Sequence, residues 1–273
     1  MSPAPPAAPR VFALLGDPVA HSLSPRLQNA AFAAAGVDAT YRTIRVAPGE
    51  LVRQLRALAE AGGGGNITAP YKQLAVQALD TAAEAVSRTG AVNTFWRGPG
   101  GVQGDNTDVA GFRDALVHHA IDLAGRPVLL LGAGGAAAAV LAALLEAGSE
   151  VTIVNRSPER SQRLLAQLSA VNRVRQAASP PAEPFSAVIN ATSLGMQLAD
   201  PLPLAIGRLP ERAVVLDLVY TPGTTAWVRA ARAAGHAAFD GTEMLLHQAA
   251  AAFSLWMGRP APLEVMRAAL ADR

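Results

Sequence analysis

The stretch that most restricts how this chain can fold is Pro127-Val128-Leu129-Leu130-Leu131, followed directly by Gly132-Ala133-Gly134-Gly135-Ala136-Ala137. A continuous apolar run of this length is expected of a strand buried on both faces. Gly132, Gly134 and Ala137 fit Gly-x-Gly-x-x-Ala, a helical stretch runs on to Glu146, Gly148 ends it, and Val151–Val154 supplies the next strand. That is a βαβ unit in the right order. Its glycines permit a tight turn and the close approach of a pyrophosphate, and the helix start offers free backbone N–H groups to it. A glycine motif alone carries little weight, but flanked by its strand and helix it becomes a strong signal for dinucleotide binding. The competing reading is a Gly-rich turn in an unrelated α/β domain.

The same alternation of short apolar runs with Ala/Leu-rich helical stretches continues on both sides, which predicts an α/β fold built on mostly parallel sheets. Before the glycine loop, strands are expected at Val11–Leu15 and Tyr41–Val46, with a short strand end at Asn66–Thr68. A hairpin is expected from Ala91–Trp96 and Val102–Gly104. Helices are expected from Ser24-Pro25, over Pro48–Ala61, from Pro70 onward carrying Lys72, and from Asp108 to His119. After the loop come strands at Ala187–Asn190, Val214–Leu218 and Ala237–Phe239, a long helix from Gly241 to Met257, and a last one over Pro262–Ala271. At roughly 150 residues per domain, 273 residues suggest two domains. The expected division is 1–107 for an N-terminal, mainly parallel α/β domain and 108–242 for a Rossmann-type domain. Residues 243–273 are expected as C-terminal helices returning to the first domain. Residues 1–10, rich in Pro and Ala, are expected as a disordered tail rather than a signal peptide.

Composition excludes several function classes. Cysteine is absent, so there is no disulfide, thiolate nucleophile, Cys-ligated zinc or iron–sulfur cluster. Of the 5 His only His118 and His119 adjoin, and neighbours in sequence point to different sides of a helix, so no metal site is expected. No basic run is interleaved with aromatics, which argues against nucleic acid, and no uncharged apolar stretch reaches the length of a membrane span. A cytoplasmic protein acting on a small molecule is the default. The oligomeric state is left as monomer or homodimer.

The strand after the glycine helix ends in Asn155-Arg156-Ser157, with Arg160 one turn on. NAD-binding versions of this fold usually place Asp or Glu there for the ribose 2′-OH. A guanidinium is instead suited to a phosphate dianion, so NADP(H) is expected over NAD(H). The bland alternative is a solvated helix start, with Glu159 available to pair with an arginine.

Polar clusters also stand where strands of the first domain end: Ser22 and Ser24; Asn66, Thr68 and Lys72; Asn93 and Thr94; Asn106, Thr107 and Asp108. Ligands of open α/β sheets bind beyond the carboxyl ends of strands, so these groups suit a small polyhydroxylated ligand. Each has a plain structural reading too: Ser24 and Asp108 as helix caps, Asn93 as a turn residue.

The segments Gly16-Asp17-Pro18-x-x-His21-Ser22-x-Ser24-Pro25, Asn66-Ile67-Thr68-x-Pro70-x-Lys72, Gly90-Ala91-Val92-Asn93-Thr94 and Gly104-Asp105-Asn106-Thr107-Asp108 resemble the substrate domain of the shikimate dehydrogenases. Gly132-Ala133-Gly134-Gly135-Ala136 resembles that family's cofactor loop and Asn155-Arg156-Ser157 its 2′-phosphate motif. Further matches are Asn190-Ala191-Thr192-Ser193, Asp217-Leu218-Val219-Tyr220-x-Pro222 and Gly241-x-x-Met244-Leu245-x-x-Gln248-Ala249. The resemblance runs from about residue 11 to 265, with the motifs in the family's order.

The resemblance implies reversible, NADPH-dependent reduction of 3-dehydroshikimate to shikimate in aromatic amino acid biosynthesis. It implies that Ser22, Ser24, Thr68 and Tyr220 hold the ring carboxylate, and that Asn66, Asn93, Asp108 and Gln248 bind hydroxyls or position neighbours. Lys72 and Asp108 become the catalytic pair, the carboxylate holding the ammonium in place. Gly241 and Met244 are implied to line the nicotinamide pocket, and Asn190, Thr192 and Ser193 to lie along the cofactor. Lys72 stands out independently: among 23 basic residues it is the single lysine beside 22 arginines. A drift to arginine leaves lysine where a compact ammonium that can give up a proton is needed; the alternative is chance placement of one lysine among 23 basic positions.

The sequence departs from the family's pattern in three places. Ser157 stands for a more usual Thr. Gly62–Gly65 replaces a segment that often carries a bulky residue, which predicts a looser strand before Asn66. Thr225-Ala226-Trp227 replaces a Thr-Pro-Leu pattern, and Trp96, Trp227 and Trp256 read as packing residues. Two other readings remain at this level: a quinate/shikimate dehydrogenase of broader specificity, and a catalytically silent NADP-binding sensor.

Overall fold

The computed structural model describes residues 9–221 and 223–271. They form two compact units. The first contains residues 9–86, 91–105 and 249–271, and the second contains 87–90, 106–221 and 223–248. The α/β class expected from the alternation holds in both.

In the first unit the chain runs β1 (Arg10–Gly16), α1 (Ser24–Ala34), β2 (Ala39–Arg45), α2 (Leu51–Glu60), β3 (Gly64–Ile67) and β4 (Thr81–Ala82). Then α3 (Glu84–Thr89) carries it across the division, and β5 (Thr94–Gly98) and β6 (Gly101–Asp105) bring it back. The sheet order is β2-β1-β3-β5-β6-β4. β1 is parallel to β2 and β3, β4 is parallel to β6, and the β5–β6 hairpin is antiparallel with Thr94 opposite Asp105. β1 begins at Arg10, inside the stretch expected as a tail, because Arg10 N–H donates to Asp38 C=O (3.2 Å) and its Cα pairs with Ala39. Residues 1–8 of that expected tail lie outside the described residues.

The second unit contains α4 (Thr107–His118), β7 (Pro127–Leu131), α5 (Gly135–Glu146), β8 (Glu150–Val154), α6 (Pro158–Gln167) and β9 (Arg175–Ala177). It continues with β10 (Ala187–Asn190), β11 (Val214–Asp217), α7 (Ala226–Ala233) and β12 (Ala238–Phe239). Its sheet, β12-β11-β10-β7-β8-β9, is parallel throughout. α5 is buried along nearly its whole length because its alanines let it lie close to the sheet. Pro222, part of one family-like motif, lies outside the described residues. From this unit α8 (Thr242–Met257) leads into the first, and α9 (Leu263–Ala271) ends the described chain.

The C-terminal helices complete the first unit's core. Phe12 of β1 stacks on Trp256 (4.8 Å between centroids), Phe32 of α1 meets Phe253 (5.8 Å), and Gln28 Nε2 donates to Ala249 C=O (2.9 Å). Trp256 Nε1 donates to Thr94 Oγ1 (3.0 Å), so the buried indole is satisfied as its polar edge requires.

Several local expectations are corrected. Lys72 is not on a helix. It lies in a turn after Pro70, followed by a short 3-10 helix at Leu74–Ala78, because its carbonyl accepts from Val92 N–H (2.9 Å) instead of from a residue one turn on. Ser24 does not cap α1. The N-cap is Leu23, and Ser22 Oγ accepts from Ser24 N–H (3.2 Å). Asp108 does not cap α4 either: Asn106 does, accepting from Asp108 N–H (3.2 Å).

The glycine run is built into the sheet. Gly64 and Gly65 are buried within β3, between β1 and β5. A Cβ on Gly65 would fall 1.9 Å from Ala13 O, so the absence of a side chain is what lets β1 and β3 approach. β4, β9, α3 and α7 were missed. β4 and β9 span only 2 and 3 residues, too short for periodicity to register.

Candidate functional site

In the first unit, polar side chains gather at the carboxyl ends of β1 and β3. Gly16, last in β1, sits so close to Thr68 that a Cβ would come within 2.3 Å of its Cγ2, and Thr68 N–H donates to Leu15 C=O (2.9 Å). Ser22 and Ser24 meet through their hydroxyls (3.2 Å) where the loop leaving β1 enters α1. Asn66, at the end of β3, is held from two sides: Tyr41 O–H donates to its Oδ1 (2.8 Å), and its Nδ2 donates to Asn93 C=O (3.1 Å). Asn93 is itself set by its N–H on Asp105 C=O (3.0 Å). Lys72 follows five residues after β3 ends at Ile67, half-buried, its backbone tied to Val92. Tyr41 is a positioning residue that sequence reasoning missed: on an alternating strand it reads as core.

In the second unit, β7 and β10 are adjacent and the chain leaves them in opposite directions along the sheet, which makes their carboxyl ends the topological switch point. The two glycines there differ in kind. Gly132 has φ +111°, and a Cβ on it would lie 2.7 Å from Ala191 O, so the fold itself demands glycine. Gly134 caps α5 in extended backbone, and a Cβ there would meet nothing within 4 Å. That glycine is not required by the protein's own packing. With Ala133 and Gly135-Ala136 it leaves α5 with no side-chain cap and no acid in its first turn, an arrangement open to an anionic group.

Asn155 Nδ2 donates to Ser157 C=O (2.8 Å), which shapes the turn into α6. Arg156 and Arg160 are exposed, and among the described residues neither is paired with a carboxylate. Glu159 does not take up either guanidinium. These residues fit a dinucleotide carrying a 2′-phosphate.

At the end of β10, Asn190 is fully buried and its amide is spent internally. Its Nδ2 donates to Asp217 Oδ1 (2.8 Å) and Leu194 C=O (3.0 Å), while its Oδ1 accepts from Thr192 N–H (3.0 Å) and Oγ1–H (2.6 Å). Thr192 Oγ1 in turn accepts from Leu194 N–H (3.1 Å), which leaves Ser193 exposed at the loop's tip. Asp217 also accepts from Val219 N–H (3.1 Å) and from the hydroxyl of Thr225 (2.7 Å), the N-cap of α7. Burial pushes its carboxyl above the usual aspartate range, against the pull of those donors. The motif containing Asp217 does not by itself announce this hub. A charged residue ending an apolar strand was the signal.

Tyr220 is half-buried after β11. Gly241 lies against Leu218, where a Cβ would come 2.1 Å from the carbonyl oxygen. Met244 is buried on α8 and Gln248 Nε2 donates to Leu245 C=O (2.9 Å). Asp108 is buried in the first turn of α4.

α4 and α8 bring His118, Glu243 and His247 together, although 125 residues separate His118 from Glu243. No helix among the described residues is long and apolar enough to cross a membrane.

A parallel sheet with this strand order and a bare glycine turn at its switch point defines a dinucleotide-binding α/β protein. Residues 14–95 match the model of the shikimate dehydrogenase substrate binding domain, 115–194 that of shikimate / quinate 5-dehydrogenase, and 241–271 that of the shikimate 5'-dehydrogenase C-terminal domain. The NADP(+) shikimate dehydrogenase of Acidiphilium cryptum is 42% identical over 250 residues, 91% of each chain. The crystal structure of shikimate dehydrogenase from Aquifex aeolicus superposes with a TM-score of 0.90 at 31% identity, covering 97% of this chain and 98% of that one. Shikimate 5-dehydrogenase from Thermus thermophilus in complex with shikimate gives 0.86 at 38% identity, covering 96% and 98%. The chain belongs to the shikimate dehydrogenase family.

Proposed function

We propose that this protein is an NADP-dependent oxidoreductase that interconverts 3-dehydroshikimate and shikimate. The observation that carries the cofactor choice is the pair of exposed guanidiniums, Arg156 and Arg160, at the β8 end where an acid would select NAD. Gly132, Ala133, Gly134, Gly135 and Ala136 hold the pyrophosphate against α5. Asn155, Arg156, Ser157 and Arg160 hold the 2′-phosphate. Asn190, Thr192, Ser193, Gly241 and Met244 border the rest of the cofactor. When bound, the nicotinamide supplies the hydride.

The protein's own residues orient the ring and manage charge and proton. Ser22, Ser24, Thr68 and Tyr220 bind the carboxylate, and Asn66, Asn93 and Gln248 the hydroxyls. The catalytic roles fall to Lys72 and Asp108. Hydride addition leaves negative charge on the ketone oxygen, and the Lys72 ammonium stabilises it and delivers the proton. The hydrogen bonds from Tyr41 to Asn66 and from Asn66 to Asn93 support this reading, because they hold the Asn66 amide in one orientation. We place this activity in the cytoplasm, in a monomer or homodimer without a nucleic-acid partner.

Purified protein is assayed with shikimate plus NADP⁺ and with quinate plus NAD⁺. NADPH production from shikimate, well above the quinate/NAD⁺ rate, is the expected result. No turnover of shikimate would remove this reading, and preference for quinate with NAD⁺ would replace it with the broader relative.

A further inference from the structure

Glu243 and His247 stand four apart on α8 and therefore share one helix face. His118, last residue of α4, faces them. His118 Nε2 lies 3.7 Å from Glu243 Oε1, and His247 Nε2 lies 3.6 Å from Glu243 Oε2. All three candidate ligand atoms fall within 4.8 Å of one another. These separations are too long for hydrogen bonds, which for N–H···O run to about 3.2 Å. The two nitrogen–oxygen separations, one to each Glu243 oxygen, are a little longer than the edge of a coordination tetrahedron, about 3.3 Å when metal–nitrogen and metal–oxygen bonds are about 2.0–2.1 Å, so small side-chain rotations would close the three groups on an ion.

His247 Nε2 is buried, and among the described residues it makes no hydrogen bond. A buried ring nitrogen left so is the exception in folded proteins and calls for a partner. The side chains of Glu243 and His247 are 15% and 14% exposed and that of His118 is 41%, so the cluster is walled on the α8 side and open to solvent beside His118. The helices that carry it are held close: a Cβ on Gly111 of α4 would lie 2.8 Å from Gln248 N of α8.

We propose that His118, Glu243 and His247 form a binding site for a divalent transition-metal ion, with Zn²⁺ as the best match. Two imidazoles and one carboxylate suit zinc, and the open side leaves a fourth position for water. The ion would tie the end of α4 to the first turns of α8. Neither histidine belongs to the proposed substrate or cofactor residues. The site is independent of the reaction assigned above and stands or falls separately from it.

The test is calorimetric titration of Zn²⁺ alone into tag-free, chelator-treated, full-length protein, repeated with Co²⁺ while following its visible absorption. One ion per chain is expected, with a Co²⁺ spectrum of low coordination number and a rise in Tm on adding Zn²⁺. Substituting groups behind metal ligands already costs about 10–100-fold in affinity, so His118→Ala and His247→Gln should each weaken binding by more than that. His236→Ala should leave binding unchanged. His118 is exposed, so its variant folds even if His247→Gln does not. Absence of stoichiometric binding would overturn the proposal, as would binding that His118→Ala leaves intact.

Discussion

Asn190 Nδ2 donates to Asp217 Oδ1 across the adjacent strands β10 and β11, 2.8 Å apart, and both side chains are almost fully buried. This one hydrogen bond couples the loop after β10 to the N-cap of α7, since Asp217 also accepts from Thr225 and Asn190 also holds Thr192 and Leu194. An ionisable group in such a place sets a pH dependence.

The folded pKa of Asp217 is raised above the ordinary 3.8, chiefly by burial. Below 3.8 it is protonated in folded and unfolded chains alike. As pH rises from there through the folded pKa, the unfolded chain ionises first and stability falls, and above that window the loss is complete and constant. Asp217→Asn keeps an oxygen for Asn190 and Val219 and presents an amide that Thr225 Oγ1 can accept. Denaturant titrations across the acid range should show the variant gaining on the wild type through this window and the difference flat above it. A difference independent of pH would show that Asp217 does not titrate there.

Gly134→Ala separates a glycine kept for a ligand from one kept for the fold. Its Cβ would meet no protein atom, and the backbone there is extended, so stability should change by less than about 1 kcal/mol. KM for NADPH should rise at least about tenfold, equivalent to about 1.4 kcal/mol. An unchanged KM would mean the turn does not carry the pyrophosphate.

Arg156→Gln removes one of the two guanidiniums at the β8 end. The ratio of kcat/KM for NADPH over NADH should fall by at least about tenfold, mostly through KM, because a charge-assisted pair to phosphate is worth roughly 1.5–3 kcal/mol. An unaltered ratio would show that the arginine is a solvated helix start.

Lys72→Ala should lower kcat by about 10²–10⁴-fold with little change in KM. Lys72→Arg should fail nearly as badly, since it keeps the charge but not a proton that can be given up. Steady-state kinetics with both variants decides the matter. A rise confined to KM would make Lys72 a binding residue only.

Gly65→Ala tests the glycine run. With a Cβ placed 1.9 Å from Ala13 O, β1 and β3 must separate, and overpacking of this kind costs about 2 kcal/mol or more. Equilibrium unfolding measures the cost, and a neutral variant would show that β3 has room to shift.

Much of this was legible in the chain. The four buried residues before Gly132 and the glycines themselves announced a βαβ unit, because burial on both faces and close backbone approach leave marks in local sequence. Capping and turns were harder. Ser24 and Asp108 looked like caps by residue type, yet neighbours two residues upstream hold those backbone N–H groups, and residue type alone does not say which of two adjacent side chains bends back. Pro70 reads locally as a helix start, which puts Lys72 on a helix. A long-range bond from Val92 decided otherwise.

Local pattern thus determined the class of fold and marked the glycine turn after β7, since each depends on spacing within a few residues. Tertiary structure decided which glycine serves the fold and which faces open space. It also made a buried hub of Asp217 and brought His118 to Glu243 and His247. Those outcomes depend on contacts between segments far apart in the chain, where packing and desolvation act and sequence spacing carries no information.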